Sequence, residues 1–162
     1  MSRDLQTEIK QKKPFQAREE EVFLNLMRTA DRLQRRGVFL FKAYDLSLNQ
    51  YNVLRILRGA GAEGLACGEI GERMITRDPD ITRLLDRLEK RDLVNRSRDQ
   101  GDRRVVTARL TAAGAELLRR LDDPVIQWHR SQLGHLDTNQ QETLIHLLEL
   151  ARAKAPSAAE DA

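Results

Sequence analysis

The sequence predicts a mainly α-helical fold built around a winged helix-turn-helix, with additional helices at both ends of the chain. Three observations predict this fold. One apolar stripe has the i, i+3, i+4, i+7 spacing of a helix face: Ile81, Leu84, Leu85 and Leu88. Two β-type runs with a glycine-containing turn between them follow that stripe, at residues 93–98 and 103–110. Helical apolar patterns also occupy residues 15–44 and 112–153.

Composition limits the class of protein. A chain of 162 residues is long enough for one buried domain, or for a small domain with helical extensions. Charged residues make up 33% and aromatic residues only 4%, which is typical of a helix-rich globular protein. No apolar run approaches the ~20 residues that span a bilayer, and residues 1–14 lack the apolar core of a signal peptide. We therefore expect a cytoplasmic protein without a membrane partner.

The N-terminal part is expected to consist of a polar, flexible arm at residues 1–14 followed by helix. Apolar residues recur at helical spacing over residues 15–44 but are interrupted by Gly37, so the pattern allows one long helix or two short ones. Ser47 and Gln50 have the spacing of a capping box, in which each side chain binds the backbone amide of the other residue. A new helix is therefore expected to begin after Ser47.

The next segment predicts a pair of helices in close succession. Residues 59–64 contain three glycines, which should end the preceding helix, and residues 65–66 are a candidate third strand for the sheet. A helix is expected at residues 67–75. Asp78 then provides an N-cap, and Pro79 a first-turn proline, for the helix that carries the central apolar stripe. Two helices joined by a tight connection form a helix-turn-helix.

The arginine content of the predicted hairpin indicates its partner. The first strand covers residues 93–98, the turn residues 99–102 and the second strand residues 103–110. Four of the nine residues at 96–104 are arginines, against two aspartates, so the tip is cationic although the net charge of the chain is only +3. A helix and such a hairpin together can contact two grooves of a DNA duplex. We expect the hairpin to bind the phosphate backbone.

After the hairpin, two further helices are expected. Thr111 is positioned to cap the first, in which Pro124 marks a kink or a break. Asp137 or Thr138 is positioned to cap the second, which again carries apolar residues at i, i+3, i+4 and i+7. The alanine-rich residues 154–162 are expected to form a flexible tail.

The apolar stripes outside the central segment predict self-association. Residues 46–111 suffice for a winged helix-turn-helix DNA-binding domain, and the helical regions at 15–44 and 112–153 would have little to pack against in a monomer. A two-fold dimer in which both ends interleave would cover these stripes, and a palindromic DNA site would match its symmetry. We therefore interpret both regions as dimerisation helices. The alternative is that they pack on the core of their own subunit.

The central residues resemble the MarR family of bacterial transcription regulators. The resemblance lies in residues 81–94, followed by 99–106 and 109–114, and extends from about Val22 to Leu150. Its most specific part is Asp-Arg-Arg at 102–104. In that family the second helix of the motif enters the major groove and the wing reaches the flanking minor groove. Family members are dimers, many respond to small phenolic or lipophilic ligands, and some respond to oxidants.

The resemblance implies a role for individual residues. Thr82 and Arg83 match positions that approach base edges, where arginine can bind guanine bidentately. Arg104 matches the wing arginine that enters the minor groove, and Asp102 matches the acid that holds it. The remaining arginines are interpreted as phosphate contacts, which orient a protein without reading sequence: Arg77, Arg87, Arg96, Arg98 and Arg103.

Each of these arginines also has a simpler interpretation. A solvated surface side chain is the general alternative. For Arg87 and Arg91, an ion pair within the helix is a further alternative, with Asp86 and Asp92 as the nearby acids.

Two features depart from the family pattern. Where many members have small hydroxylated residues before the second helix of the motif, this chain has Asp78, Pro79 and Asp80. Capping explains Asp78; Asp80 needs a cytosine amino group, Arg83 or Arg77 as its partner. Cys67, the single cysteine, opens the first helix of the motif, whereas oxidant sensors of the family generally carry theirs in the N-terminal helix.

The sequence therefore predicts a homodimeric, sequence-specific DNA-binding regulator. We expect a repressor that binds a palindromic operator and is released by a small lipophilic or phenolic effector. One alternative is a winged-helix module that contacts only proteins, and another is a redox-responsive regulator acting through Cys67. We expect no enzyme activity, because the sequence contains no phosphate-binding glycine loop, metal cluster or nucleophile with a matched base. No cofactor or metal is predicted.

Overall fold

The computed structural model describes residues 4–76, 80–98 and 105–153. Seven α-helices, one short 3₁₀ helix (Gly61–Glu63) and three strands lie in this part of the chain. In order they are α1 (Leu5–Glu8), α2 (Arg18–Lys42), α3 (Leu48–Ala60), β1 (Leu65–Ala66), α4 (Cys67–Arg73), α5 (Ile81–Glu89), β2 (Val94–Arg98), β3 (Val106–Leu110), α6 (Ala112–Leu133) and α7 (Thr138–Ala153). The chain divides into two compact units, with the boundary after Asp122 inside α6.

The N-terminal region forms one long helix. Of the two alternatives that the apolar pattern allowed, the structure has a single α2, and Gly37 is buried within it. The predicted flexible arm contains the single turn α1, whose Leu5 is buried. Glu8 of that turn lies 3.7 Å from Arg28 of α2. The arm is therefore not wholly without structure.

The predicted capping box begins α3. The backbone amide of Gln50 donates to Ser47 Oγ at 3.1 Å, and the backbone amide of Ser47 donates to Gln50 Oε1 at 2.8 Å. Both predicted bonds are thus confirmed. Beyond the cap, α3 runs through the centre of the first unit, where Val53, Leu54 and Leu57 have no exposed surface. The cap fixes where the helix starts, and the buried side chains hold it in place.

A small antiparallel sheet lies beside these helices, with the strand order β1-β3-β2. Leu65 lies opposite Ala108, which confirms the predicted third strand, and Val94 lies opposite Leu110. The described part of the second wing strand begins at Val106. The predicted start at Arg103 and the predicted turn at residues 99–102 lie outside the described residues.

The helix-turn-helix differs from the sequence prediction at two boundaries. Helix α4 ends at Arg73, two residues before the predicted end at Ile75. Helix α5 begins at Ile81 with Asp80 as its N-cap, so the prediction that Asp78 is the cap was wrong. An N-cap carboxylate reaches the amide two or three positions into a helix, and Asp80 Oδ1 accepts from the amide of Arg83 at 3.0 Å. Pro79 lies outside the described residues.

The core of the first unit joins the helices to the sheet. Its completely buried large side chains come from α2, α3, α4, α5, β2 and α6: Phe41, Val53, Leu54, Leu57, Ile70, Leu85, Leu88, Val94, Leu118 and Leu121. Each such leucine or isoleucine contributes roughly 1.5–3 kcal/mol relative to an exposed side chain. The stripe on α5 that predicted the helix is therefore the face by which α5 is anchored.

The start of α6 is tied to the preceding loop. Thr111 Oγ1 accepts from the amide of Gly114 at 3.0 Å, which confirms the predicted cap, and donates to the carbonyl of Asp92 at 2.6 Å. At Gly114, an added Cβ would lie 2.2 Å from the carbonyl oxygen of Leu93 and 2.7 Å from Leu110 Cδ1. Only glycine allows the first turn of α6 to approach the wing this closely.

We expect Gly114→Ala to lower the free energy of unfolding by about 1–3 kcal/mol, because the new methyl group overlaps backbone that cannot move freely. Urea denaturation monitored by circular dichroism measures this change. Gly59→Ala is the matched control. Gly59 lies in α3 with open space around it, so its methyl group should be neutral or stabilising by about 0.5 kcal/mol. Equal effects from the two substitutions would contradict the steric explanation.

The structure decides two points about the last two helices that the sequence had left open: the effect of Pro124 on α6 and the cap of α7. Helix α6 continues through Pro124 to Leu133, so of the predicted kink or break the break is excluded. Of the two candidate caps for α7, Asp137 is the one used: its Oδ1 accepts from the amide of Gln140 at 2.9 Å. Gln140 Oε1 in turn accepts from the amide of Asp137 at 3.0 Å, completing a capping box.

Exposed apolar side chains are concentrated on two helices. On α7, no side chain is buried, and four large apolar residues are well exposed: Leu144, Ile145, Leu147 and Leu150. On α2, the exposed set is Val22, Phe23, Leu26, Met27, Val38 and Phe39. Several large exposed apolar side chains on one helix are typical of an interaction face. In the part of the chain that the structure covers, no helix combines the length and apolarity needed to cross a bilayer.

Candidate nucleic-acid interface

Helix α5 presents one buried and one exposed face. Leu84, Leu85 and Leu88 are buried, and the opposite side carries the exposed side chains of Thr82, Arg83 and Arg87, which we call the recognition face. Because three leucines anchor the helix, the recognition face has a fixed orientation relative to the sheet. A rigid helix with donors on its outer side has the form required to enter a major groove.

Arg83 is held by the N-cap residue of its own helix. Asp80 Oδ2 lies 2.9 Å from Arg83 Nε, and Asp80 Oδ1 accepts a hydrogen bond from the backbone amide of Arg83. The pairing of Asp80 with Arg83, one of the three partners considered from the sequence, is therefore present in the structure. Arg87, by contrast, is exposed and forms no ion pair with another described residue, so the alternative of pairing with Asp86 is absent from the structure.

Asp86 contacts Arg96 on strand β2 instead. Arg96 Nη2 donates to Asp86 Oδ1 and, at 2.6 Å, to Glu89 Oε2, while Arg96 Nε donates to the same Glu89 oxygen at 3.0 Å. The backbone amide of Arg96 donates to Glu89 Oε1 at 3.0 Å. We call these three residues the Arg96 triad. It joins α5 directly to β2, the first strand of the wing.

The triad changes the interpretation of Arg96. Its side chain is only 21% exposed, and two carboxylates already neutralise its charge. Hydrogen bonds from Arg96 lower the pKa of Glu89 from its usual value, so this carboxylate is ionised at neutral pH. Arg96 is thus placed to hold the wing against α5, whereas a phosphate contact needs an exposed guanidinium. The (i, i+3) spacing of Asp86 and Glu89 was the sequence signal for such a site.

Arg91 also forms a contact that the sequence did not predict. Its guanidinium donates to the carbonyl oxygen of Asp45 and, at 3.2 Å, to that of Tyr44. The alternative of an ion pair with Asp92 was therefore wrong. Asp92 has a positive φ of 55°, where the chain turns away from the helix, and Arg91 instead reaches the segment between α2 and α3. Two arginines on either side of this turn therefore fix α5 within the domain.

The wing adds a second cationic surface. Arg98 is exposed at the end of β2, opposite Val106, and has no ion-pair partner among residues that the structure describes. Arg109 of β3 donates from Nη1 to Ser97 Oγ at 2.7 Å and so joins the two strands. Of the nine residues predicted to contact DNA, five are described: Thr82, Arg83, Arg87, Arg96 and Arg98. The other four lie outside the described residues: Arg77, Asp102, Arg103 and Arg104.

A pocket of about 340 Å³ lies between α4, α5 and the wing. Cys67, Thr82, Arg96 and Val106 contribute to its lining. Burial raises the pKa of the Cys67 thiol, so the thiol is protonated at neutral pH and a weak nucleophile towards oxidants. Within residues 4–76, 80–98 and 105–153, no group of three or more histidine, cysteine or acidic side chains is arranged to hold a metal ion.

Comparison with known proteins agrees with this geometry. A sequence model for the MarR family matches residues 46–106. The crystal structure of a MarR transcription factor from Planctomyces limnophilus is 46% identical and superimposes with a TM-score of 0.66, covering 85% of this chain and 100% of that one. Sco3205, a MarR family transcriptional regulator from Streptomyces coelicolor crystallised in complex with DNA, is 26% identical over 90% of this chain and 94% of its own, with a TM-score of 0.76.

A curated regulator shows the same relationship at lower identity. PecS, a helix-turn-helix-type transcriptional regulator of Dickeya dadantii, is 29% identical over 110 residues, which is 67% of this chain. The match spans 66% of PecS, just under two thirds of that protein's length. The winged helix-turn-helix, the exposed face of α5 and the similarity over the full length of the Planctomyces chain lead to one conclusion: this chain belongs to the MarR family of DNA-binding transcription regulators.

Proposed function

We propose that this protein is a homodimeric repressor that binds a palindromic operator and is released by a small lipophilic or phenolic effector. The observation that carries the proposal is the exposed recognition face on a helix whose opposite side is fixed by three buried leucines. The Arg96 triad supports it further, because it keeps the wing and the recognition helix in one orientation. Two rigidly connected elements can contact adjacent grooves at the same time.

In this proposal each exposed residue has a distinct task. Thr82 and Arg83 contact base edges in the major groove, where an arginine binds guanine O6 and N7. Arg87 and Arg98 contact phosphates, together with Arg77 and Arg103. Arg104 enters the minor groove and Asp102 orients it, by resemblance to the family. Arg96 is reassigned from a phosphate contact to a residue that positions the wing.

The exposed apolar faces of α2 and α7 support the homodimer. Six large apolar side chains on α2 and four on α7 contact solvent in the single chain, which is unfavourable unless another surface covers them. A second copy presents the same faces, and two-fold symmetry allows each to bury its counterpart. Two recognition helices related by that symmetry would read the two halves of a palindrome.

The pocket beside Arg96 supports release by an effector. It touches both elements proposed to contact DNA, and its lining combines apolar groups with Thr82 and a guanidinium. A phenolic or carboxylic compound bound there would compete with Asp86 and Glu89 for Arg96 and shift the wing relative to α5. Ligand and operator would then favour different arrangements of the same domain. A regulator of this kind acts on the chromosome, so we place the protein in the cytoplasm.

Fluorescence anisotropy tests the proposal with two duplexes of equal length, one from the region upstream of this chain's own gene and one of random sequence. We expect Arg83→Ala to reduce the preference for the upstream duplex by about fivefold to a hundredfold, because a bidentate guanine contact is lost. Arg98→Ala should weaken binding to both duplexes equally and reduce the salt dependence by about one phosphate contact. The two variants thus separate base reading from phosphate binding.

Arg119→Ala, an exposed arginine of α6 outside the proposed interface, is the matched control and should change neither quantity. Equal affinity of the wild type for both duplexes at about 50 mM and about 200 mM salt would refute sequence-specific binding. The absence of salt-dependent binding to either duplex would favour the alternative of a winged-helix module that contacts only proteins.

A further inference from the structure

The acidic residue that precedes the recognition helix has no task in the proposed interface. Asp80 is partly exposed and lies directly beside Arg83. Its negative charge opposes the approach of phosphates, and an exposed ion pair contributes little to the stability of a fold. Capping does not require the charge either, because asparagine or serine caps a helix as well as aspartate does. Capping alone therefore does not explain a carboxylate at this position.

Two contacts of Asp80 restrain the backbone and the side chain of Arg83. Oδ1 accepts from the backbone amide of Arg83 at 3.0 Å, and Oδ2 lies 2.9 Å from Arg83 Nε. A guanidinium presents donors on two edges. Of the three guanidinium nitrogens, Nε is the one that lies closest to the carboxylate, and the two Nη atoms make no ion pair with another residue in the described ranges. A pair of parallel donors is the arrangement that recognises guanine O6 and N7.

We propose that Asp80 is a specificity-determining positioning residue: it holds the guanidinium of Arg83 with its two Nη donors available for guanine, and its charge disfavours binding to DNA in general. This inference rests on the proposed function, in which α5 lies in the major groove. Without the carboxylate, Arg83 is free to turn towards any nearby phosphate, and such contacts carry no sequence information. With it, the side chain is ordered before DNA arrives, which reduces the entropy lost on binding.

The test substitutes Asp80→Asn, which keeps a helix cap but removes the charge that holds Arg83. Anisotropy titrations compare the duplex from the chain's own upstream region with a random duplex of equal length. We expect the affinity ratio between them to fall by about fivefold or more. Affinity for the random duplex should rise by about twofold, because one negative charge near the phosphates has been removed. Thermal stability should be nearly unchanged.

Two controls make the result specific. Glu72→Gln removes the same charge from an exposed position on α4 and should leave the affinity ratio unchanged. In an Arg83→Ala background, Asp80→Asn should have no further effect on the ratio, because a double-mutant cycle isolates the coupling between the two residues.

A wild type that discriminates between the duplexes, combined with an unchanged ratio in Asp80→Asn, would overturn this inference alone. The same fall in ratio with and without Arg83 would also overturn it. A wild type that does not discriminate would overturn both this inference and the proposed function.

Discussion

Leu147→Glu is expected to convert the protein into a monomer and to lower operator affinity by at least about a hundredfold. Leu147 lies on the apolar stripe of α7 and is 56% exposed in the single chain, so the substitution does not disturb the core of that chain. In the proposed dimer it would place a charge in an apolar interface, which is costly unless the charge is paired. Separating two linked DNA-binding modules removes an advantage of about 10²–10⁴ in affinity.

Sedimentation velocity and anisotropy titration measure the two effects. His146→Glu is the matched control, because it introduces the same side chain at a polar position of the same helix, outside the stripe formed by Leu144, Leu147, Leu148 and Ala151. It should leave both the dimer and operator binding intact. Circular dichroism of Leu147→Glu should match that of the wild type. A wild type that sediments as a monomer, or a Leu147→Glu variant that remains dimeric with full affinity, would contradict the proposed role of α7.

Features determined by neighbouring residues could be predicted from the sequence. The capping box of Ser47 and Gln50 needs only residues three positions apart, and both of its bonds are present. The stripe of leucines on α5 and the short strand at residues 65–66 follow from periodicity and from the positions of glycines. The order of elements, and hence the winged helix-turn-helix, could therefore be predicted from local patterns alone.

The choice between similar neighbours could not be predicted in the same way. Asp78 and Asp80 both have the chemistry of an N-cap, and Pro79 favours a helix that starts immediately after Asp78. The observed helix starts at Ile81, with Asp80 as its cap. A local pattern with two possible caps two residues apart does not decide between them, and helix boundaries vary by this amount.

The roles of individual arginines were the least predictable part of the site. Arg91 binds carbonyl groups 46 and 47 residues away in sequence, and Arg96 binds carboxylates 7 and 10 residues away. Alternation along a strand indicates which side chains face outwards, but it does not indicate which of them meet an acid from another element. Arg98, two positions after Arg96, remains exposed. Only the three-dimensional contacts separate a positioning arginine from a candidate phosphate contact.

Arg96→Met, which retains most of the side-chain volume but no charge, is expected to weaken both the fold and DNA binding. Removing the guanidinium leaves Asp86 and Glu89 without their shared cation. Since hydrogen bonds between charged groups are worth about 1.5–3 kcal/mol and these groups are partly exposed, we expect unfolding to become easier by about 2 kcal/mol. Operator affinity should fall by about tenfold, because the wing is no longer held in a fixed orientation to α5.

The effect on stability should depend on pH in a defined direction. Arg96 lowers the pKa of Glu89 in the folded protein below the ordinary value of 4.5. A carboxylate with a depressed pKa stabilises the folded state above its unfolded pKa and loses this contribution as pH falls through its folded pKa. The unfolding free energies of wild type and Arg96→Met should therefore differ by a constant amount above pH 4.5 and converge at lower pH. Urea denaturation over a pH series measures this convergence.

Arg98→Met is the matched control for this prediction, because it removes an exposed arginine from the same strand. It should leave the unfolding free energy within about 0.5 kcal/mol of the wild type. It should also reduce the salt dependence of DNA binding by about one phosphate contact, whereas Arg96→Met should weaken binding with nearly the same salt dependence as the wild type. If Arg96→Met instead reduced the salt dependence and left stability unchanged at every pH, Arg96 would be a phosphate contact after all, and another group would have to orient the wing.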